Sequence, residues 1–121
     1  MNIQESAEMY LETIHVLSQE QENVRSIDIC RKMGFSKPSI SRAMKNLKTE
    51  GYIDIDDNGY ITLKEKGLAI AGKIYERHKS LTDFFISIGV SPKTAEDDAC
   101  RIEHVISDET FEKIKDRMKS R

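Results

Sequence analysis

The run from Ser26 to Leu63 constrains the fold more tightly than any other part of the chain. Ser26 can cap a short helix reaching Met33, with Ile27, Ile29 and Cys30 inside it, and Cys30 reads as a small buried hydrophobe. Gly34-Phe35 breaks that helix. Ser36 caps the next one, and Pro38 is tolerated in its first turn because the N–H it lacks needs no intrahelical partner. Ile40, Ala43, Met44 and Leu47 recur at i, i+3, i+4 and i+7, the inner stripe of an amphipathic helix. Its outer face carries Lys37, Ser41, Arg42, Lys45 and Lys48. Gly51 ends it. Tyr52-Ile53-Asp54-Ile55 and Tyr60-Ile61-Thr62-Leu63 are short strands, and Asn58-Gly59 between them is a strong hairpin signal. Short helix, tight turn, basic helix and hairpin in this order predict a winged helix-turn-helix. A basic helix alone could equally be a solvated surface.

The charge distribution sharpens that reading. The net charge is −2, yet from Arg31 to Lys48 the charged residues are Arg31, Lys32, Lys37, Arg42, Lys45 and Lys48, without an acid. From Glu96 to Glu112 the acids Glu96, Asp97, Asp98, Glu103, Asp108, Glu109 and Glu112 face Arg101 alone. One segment suits a polyanion and the other a cation. No apolar run approaches the roughly 18 residues that span a bilayer, and the N-terminus lacks a signal peptide's form. Two cysteines, Cys30 and Cys100, are too few for a disulfide framework. A cytoplasmic protein with reduced thiols, no membrane association and no small-molecule substrate is expected.

Around the basic helix the spacing is helical throughout, so the fold class is mainly α. A first helix from Ser6 to Ser18 turns Tyr10, Leu11, Ile14 and Leu17 inward, with Met9 and Glu12 at i, i+3 on a neighbouring stripe. A long helix from Lys64 to Ile88 lines up Leu68, Ala71, Ile74, Tyr75, His78, Leu81 and Phe85. It exceeds what the winged domain needs, and Leu81, Phe84 and Phe85 are the surplus expected to build a homodimer. Gly89 closes it, and Ser91-Pro92 starts a helix to about Ile106 that buries Ala95, Ala99, Ile102 and Val105 or Ile106. Ser107 starts a last helix with Phe111, Ile114 and Met118. The chain is expected to divide into a winged helix-turn-helix DNA-binding domain, residues 1–71, and a second, helical domain, residues 72–121, that carries the dimer surface and the acidic segment suited to a cation.

Cys100, Glu103 and His104 stand at i, i+3 and i+4 and so project from one face of that helix. Thiolate, carboxylate and imidazole are the common donors to a divalent transition metal. A buried cysteine beside a solvated Glu–His pair fits the same spacing.

The chain resembles the diphtheria-toxin-repressor family of metal-dependent transcriptional repressors over essentially its whole length. The resemblance is carried by residues 99–109 (Ala99-Cys100-Arg101-Ile102-Glu103-His104-Val105-Ile106-Ser107-Asp108-Glu109), by Glu8 to Ile14, and by Ser36-Lys37-Pro38-Ser39-Ile40-Ser41 at the start of the recognition helix. It implies a metal-activated repressor, not an enzyme, acting as a homodimer on palindromic double-stranded operators of metal-uptake genes. Similarity to the iron-responsive branch implies Met9, Cys100, Glu103 and His104 as metal ligands. Similarity to the manganese-responsive branch adds Glu12 and His78 around a second ion, so one or two ions per subunit are expected. That branch has carboxylates where this chain has Met9 and Cys100. The iron branch has a histidine at Glu96 and a glutamate at Thr82. Long members add a small β-barrel domain, which this sequence does not reach. Fe(II) is the expected effector and Mn(II) the alternative. Ser36, Lys37, Pro38, Ser39, Arg42, Lys45 and Lys48 are the expected DNA contacts. A metal-independent winged-helix regulator, a small metalloenzyme and a metal-storage module are the rival readings.

Overall fold

A computed structural model describes residues 3–119, with side chains from residue 6 onward. Within these, six helices and one hairpin follow in the order α1 (Ile3–Glu20), α2 (Ser26–Met33), α3 (Lys37–Thr49), β1 (Ile53–Ile55), β2 (Ile61–Leu63), α4 (Glu65–Ser87), α5 (Pro92–Ile102) and α6 (Asp108–Lys119). The fold is mainly α, with a winged helix-turn-helix in its first half. The chain forms two compact units that part inside α4, between Gly72 and Lys73.

In the first unit the apolar stripes of three helices meet over the hairpin. Leu11, Ile14 and Leu17 of α1, Ile29 of α2, Ile40, Met44 and Leu47 of α3, Ile53, Ile61 and Ala71 form one buried cluster. Tyr10, Cys30 and Ala43 pack against it. Val24, inside a connection that reads as polar, is buried as well, and its carbonyl accepts the Ile61 N–H at 2.7 Å. Each helix boundary has a chemical reason. Arg25, not Ser26, holds the cap position of α2, because the Asp28 carboxylate reaches back to accept the Arg25 N–H at 2.9 Å. Gly34 ends α2 in the left-handed region at φ 74°. Ser36 caps α3, its hydroxyl oxygen accepting the Ser39 N–H at 3.3 Å.

The hairpin is antiparallel, with Ile53 opposite Leu63, Asp54 opposite Thr62 and Ile55 opposite Ile61. Its turn is longer than a two-residue Asn-Gly loop. Gly59 alone takes positive φ, 80°. The Asp56 carboxylate accepts the N–H groups of both Asn58 and Tyr60 at 2.9 Å. Behind the hairpin, α4 comes so close that a Cβ on Gly67 would lie 2.2 Å from the Tyr52 carbonyl oxygen. Leu68, one residue on, is 49% exposed and so stands off the stripe expected to be buried.

In the second unit Leu81, Ala99 and Phe111 are buried together, with Phe85, Ile102, Ile106 and Ile114 against them. Leu81 is fully enclosed in this core and cannot serve a dimer surface; Phe84 and Phe85 are half-buried. Ile86, Ile88 and Val105 are the large apolar side chains this unit leaves exposed. α5 stops at Ile102, about one turn before the expected end. Val105 and Ile106 both donate back to the Ile102 carbonyl, so residues 103–106 form a tight turn. That turn directs Ile106 inward and Val105 to solvent. Ser107 then starts α6 by accepting the Thr110 N–H at 3.1 Å.

Candidate metal centre and nucleic-acid interface

Two helices and one turn supply four potential donors within the second unit. α4 presents His78, α5 presents Cys100, and the turn after α5 presents Glu103 and His104. Of the last three only Cys100 lies within the helix. Glu103 is its C-cap, kept near helical geometry at φ −56°, ψ −26° with its N–H bonded to the Ala99 carbonyl, so the i, i+3 relation to Cys100 survives the helix end. His104 follows in the turn.

Glu103 is fully buried. One carboxylate oxygen, Oε2, lies 2.9 Å from His78 Nδ1, and Cys100 Sγ lies 3.7 Å from the same nitrogen. The other oxygen, Oε1, is 3.4 Å from His104 Nε2, yet it is buried without a hydrogen-bond partner among the described residues. One donor atom each from His78, Cys100 and Glu103 falls within 4.8 Å of the others. The hydrogen bond to Cys100, and then that to Glu103, push the His78 pKa up to about 10 against the opposing effect of burial. Glu96 stands at the rim, its Oε1 3.9 Å from His78 Nε2.

An unpaired oxygen on a buried carboxylate costs folding free energy unless something satisfies it. A divalent cation would do so, and sulfur, imidazole and carboxylate are a donor set suited to a transition metal. The residues present therefore fit a metal. Of the other expected ligands, Met9 and Glu12 lie on α1 in the first unit, half-buried and one turn apart.

One participant escaped the sequence reading. Arg77 is only 6% exposed. Its Nη1 donates to the carbonyls of Glu103 at 3.1 Å and Ile106 at 2.9 Å, and its Nη2 pairs with Asp108. The Asp108 carboxyl is held below the usual carboxylate range by its hydrogen bond to Lys73 and by the charges of Lys73 and Arg77. The signal was present, since Ile74, Arg77 and Leu81 share a helical stripe at i, i+3, i+7 and its other two members are buried.

On the first unit, Lys37, Pro38, Arg42, Lys45 and Lys48 of α3 are all exposed. The Ser36 hydroxyl donates to Ser39 Oγ at 2.9 Å, so these two side chains hold each other at the helix start. Ser39 is half-buried and Ser36 exposed.

Residues 2–68 match the iron dependent repressor N-terminal DNA binding domain, and residues 64–120 the iron dependent repressor metal binding and dimerisation domain. The chain belongs to the iron-dependent repressor family. Membership bears out the resemblance carried by residues 99–109. An uncharacterized HTH-type transcriptional regulator, MJ0568 of Methanocaldococcus jannaschii, is 32% identical over 113 residues, 92% of this chain and 90% of that protein. The transcriptional regulator MntR of Escherichia coli O6:H1 is 33% identical over 103 residues, 85% of this chain and 66% of that one. A manganese-dependent transcriptional repressor solved in complex with manganese superposes with a TM-score of 0.84 at 27% identity, covering 93% of this chain and 52% of that one. This iron-dependent-repressor chain thus spans about two thirds of MntR and about half of the solved repressor. No helix among its described residues is long and apolar enough to cross a membrane.

Proposed function

We propose that this protein is a homodimeric, metal-activated transcriptional repressor that binds palindromic operators of metal-uptake genes in the cytoplasm. The observation that carries it is the buried Glu103 carboxylate, one oxygen of which lacks a hydrogen bond among the described residues, beside His78, Cys100 and His104. Cys100, Glu103 and His104, with Met9 from α1, would hold an activating divalent ion; Glu12 and His78 would share a second ion or complete the first. When bound, the ion supplies positive charge and coordination bonds common to α1 and to the second unit. The residues do the rest. Met9 and Glu12 stand on the helix whose inner stripe, Leu11 and Ile14, packs into the same core as Ile40 and Met44 of α3. Fixing α1 therefore fixes the recognition helix. A dimer reads two half-sites only if its recognition helices keep a set spacing, one helical turn or a multiple apart. On this reading donors from α1 and from the second unit would converge only in that arrangement, which would supply the differential affinity a ligand needs to shift an equilibrium.

Fe(II) is the proposed effector, with Mn(II) next. Enrichment of a random duplex pool on the protein tests the whole reading, run anaerobically with Fe(II), with Mn(II) and with chelator. A palindromic sequence should emerge with metal only, and Glu103→Ala should enrich none. Equal enrichment with chelator would leave a winged-helix regulator that answers no metal.

A further inference from the structure

Arg77 and His78 are neighbours on α4, and both grip Glu103, one by its backbone and one by its carboxylate. His78 Nδ1 meets Oε2 at 2.9 Å, while Arg77 Nη1 donates to the Glu103 carbonyl at 3.1 Å. The same nitrogen reaches the Ile106 carbonyl at 2.9 Å and so spans the turn from end to end. α5 ends there, and the last carbonyls of a helix carry partial negative charge that a cation satisfies. Lysine and arginine near helix ends are ordinarily surface residues. Arg77 is buried, seated against the Phe111 ring with its guanidinium carbon 5.5 Å from the centroid, and paired with Asp108 at the start of α6. So much desolvation of a charge is costly unless the geometry it enforces repays it.

We infer that Arg77 is a positioning residue for the metal centre, holding the Glu103–Ile106 turn so that the Glu103 carboxylate stands ready beside His78 and Cys100. The inference rests on the metal-centre reading above. Groups that orient a ligand this way typically account for about 10- to 100-fold in metal affinity. A guanidinium can bridge two carbonyls and a carboxylate at once; an ammonium is a point charge and cannot keep all three in place.

The test uses Co(II) as probe, because the Cys100 thiolate should give a charge-transfer band and the visible bands report the ligand set. Arg77→Lys keeps the charge that Asp108 faces and avoids emptying the core. Asp108→Asn removes the ion pair and leaves both carbonyl contacts. Arg77→Lys should bind Co(II) about 10- to 100-fold more weakly than the wild type, with altered visible bands. Asp108→Asn should stay close to the wild type in both. A merely structural arginine would lower the thermal midpoint of Arg77→Lys and leave its Co(II) affinity and spectrum unchanged, which overturns the inference. Equal losses in the two variants would also overturn it, since the ion pair and not the carbonyl grip would then matter. A wild type that shows no Co(II) band would instead remove the metal centre itself.

Discussion

The donors proposed for the metal differ in kind, and the difference predicts a preference. A thioether at Met9 and a thiolate at Cys100 are softer than carboxylates, and soft donors favour ferrous iron over manganese, which suits oxygen ligands. Glu12 pulls the other way. The wild type should therefore reach half-maximal operator binding at lower Fe(II) than Mn(II), both titrated anaerobically. Met9→Asp combined with Cys100→Glu should close or invert that gap. A wild type that responds first to Mn(II), with the double variant unchanged, would show that sulfur does not set selectivity. Part of this centre was legible in sequence because Cys100, Glu103 and His104 are close neighbours whose spacing survives the helix end. His78 was less so, since a histidine in an apolar stripe is more often a core residue; only the resemblance singled it out. Arg77 was missed because its partners are backbone carbonyls 26 and 29 residues away, and no residue type announces a carbonyl.

Helices announced themselves through periodicity and caps, so α2 and α3 were readable nearly to the residue. What periodicity could not give was where one element touches another. The apolar spacing toward Ile106 continued helically, but the Arg77 contacts and the turn to α6 stop α5 at Ile102. Asn58-Gly59 pointed to a hairpin, while the turn is organised by the Asp56 side chain two residues earlier. Gly67 is the clearest case of a long-range cause. In a helix, glycine is about 1 kcal/mol worse than alanine, so propensity alone calls Gly67→Ala stabilising. The contact decides otherwise: the added Cβ would meet backbone, the Tyr52 carbonyl at 2.2 Å, with Leu11 Cδ2 at 3.3 Å behind it. Gly67→Ala should destabilise the first unit by about 3 kcal/mol, read by urea unfolding. A variant as stable as the wild type would mean that α4 can lift off the hairpin freely.

Across the whole molecule the net charge says little and its distribution a great deal. The exposed cations of α3 stand in a protein of net charge −2. Each phosphate contact contributes about 0.9 to the slope of log affinity against log salt. Arg42→Glu with Lys45→Glu should weaken binding to every duplex and flatten that slope by roughly 2 per subunit, about 4 for a dimer on two half-sites. An unchanged slope would place the DNA on another face.

The hairpin beside that helix carries the opposite sign. Asp54, Asp56 and Asp57 are all exposed on it, and the Asp56 side chain organises the turn. A wing of acids beside DNA repels phosphate whatever the sequence, so it subtracts from affinity for operator and for random duplex alike. Random duplex offers about 10⁶ to 10⁹ competing sites in a genome. If the cations of one 13-residue helix supply most of the hold on phosphate and the wing pushes back, the protein would leave wrong sites quickly. On the proposed function its time would go to searching, and base contacts at the start of α3 would let it stop at the operator.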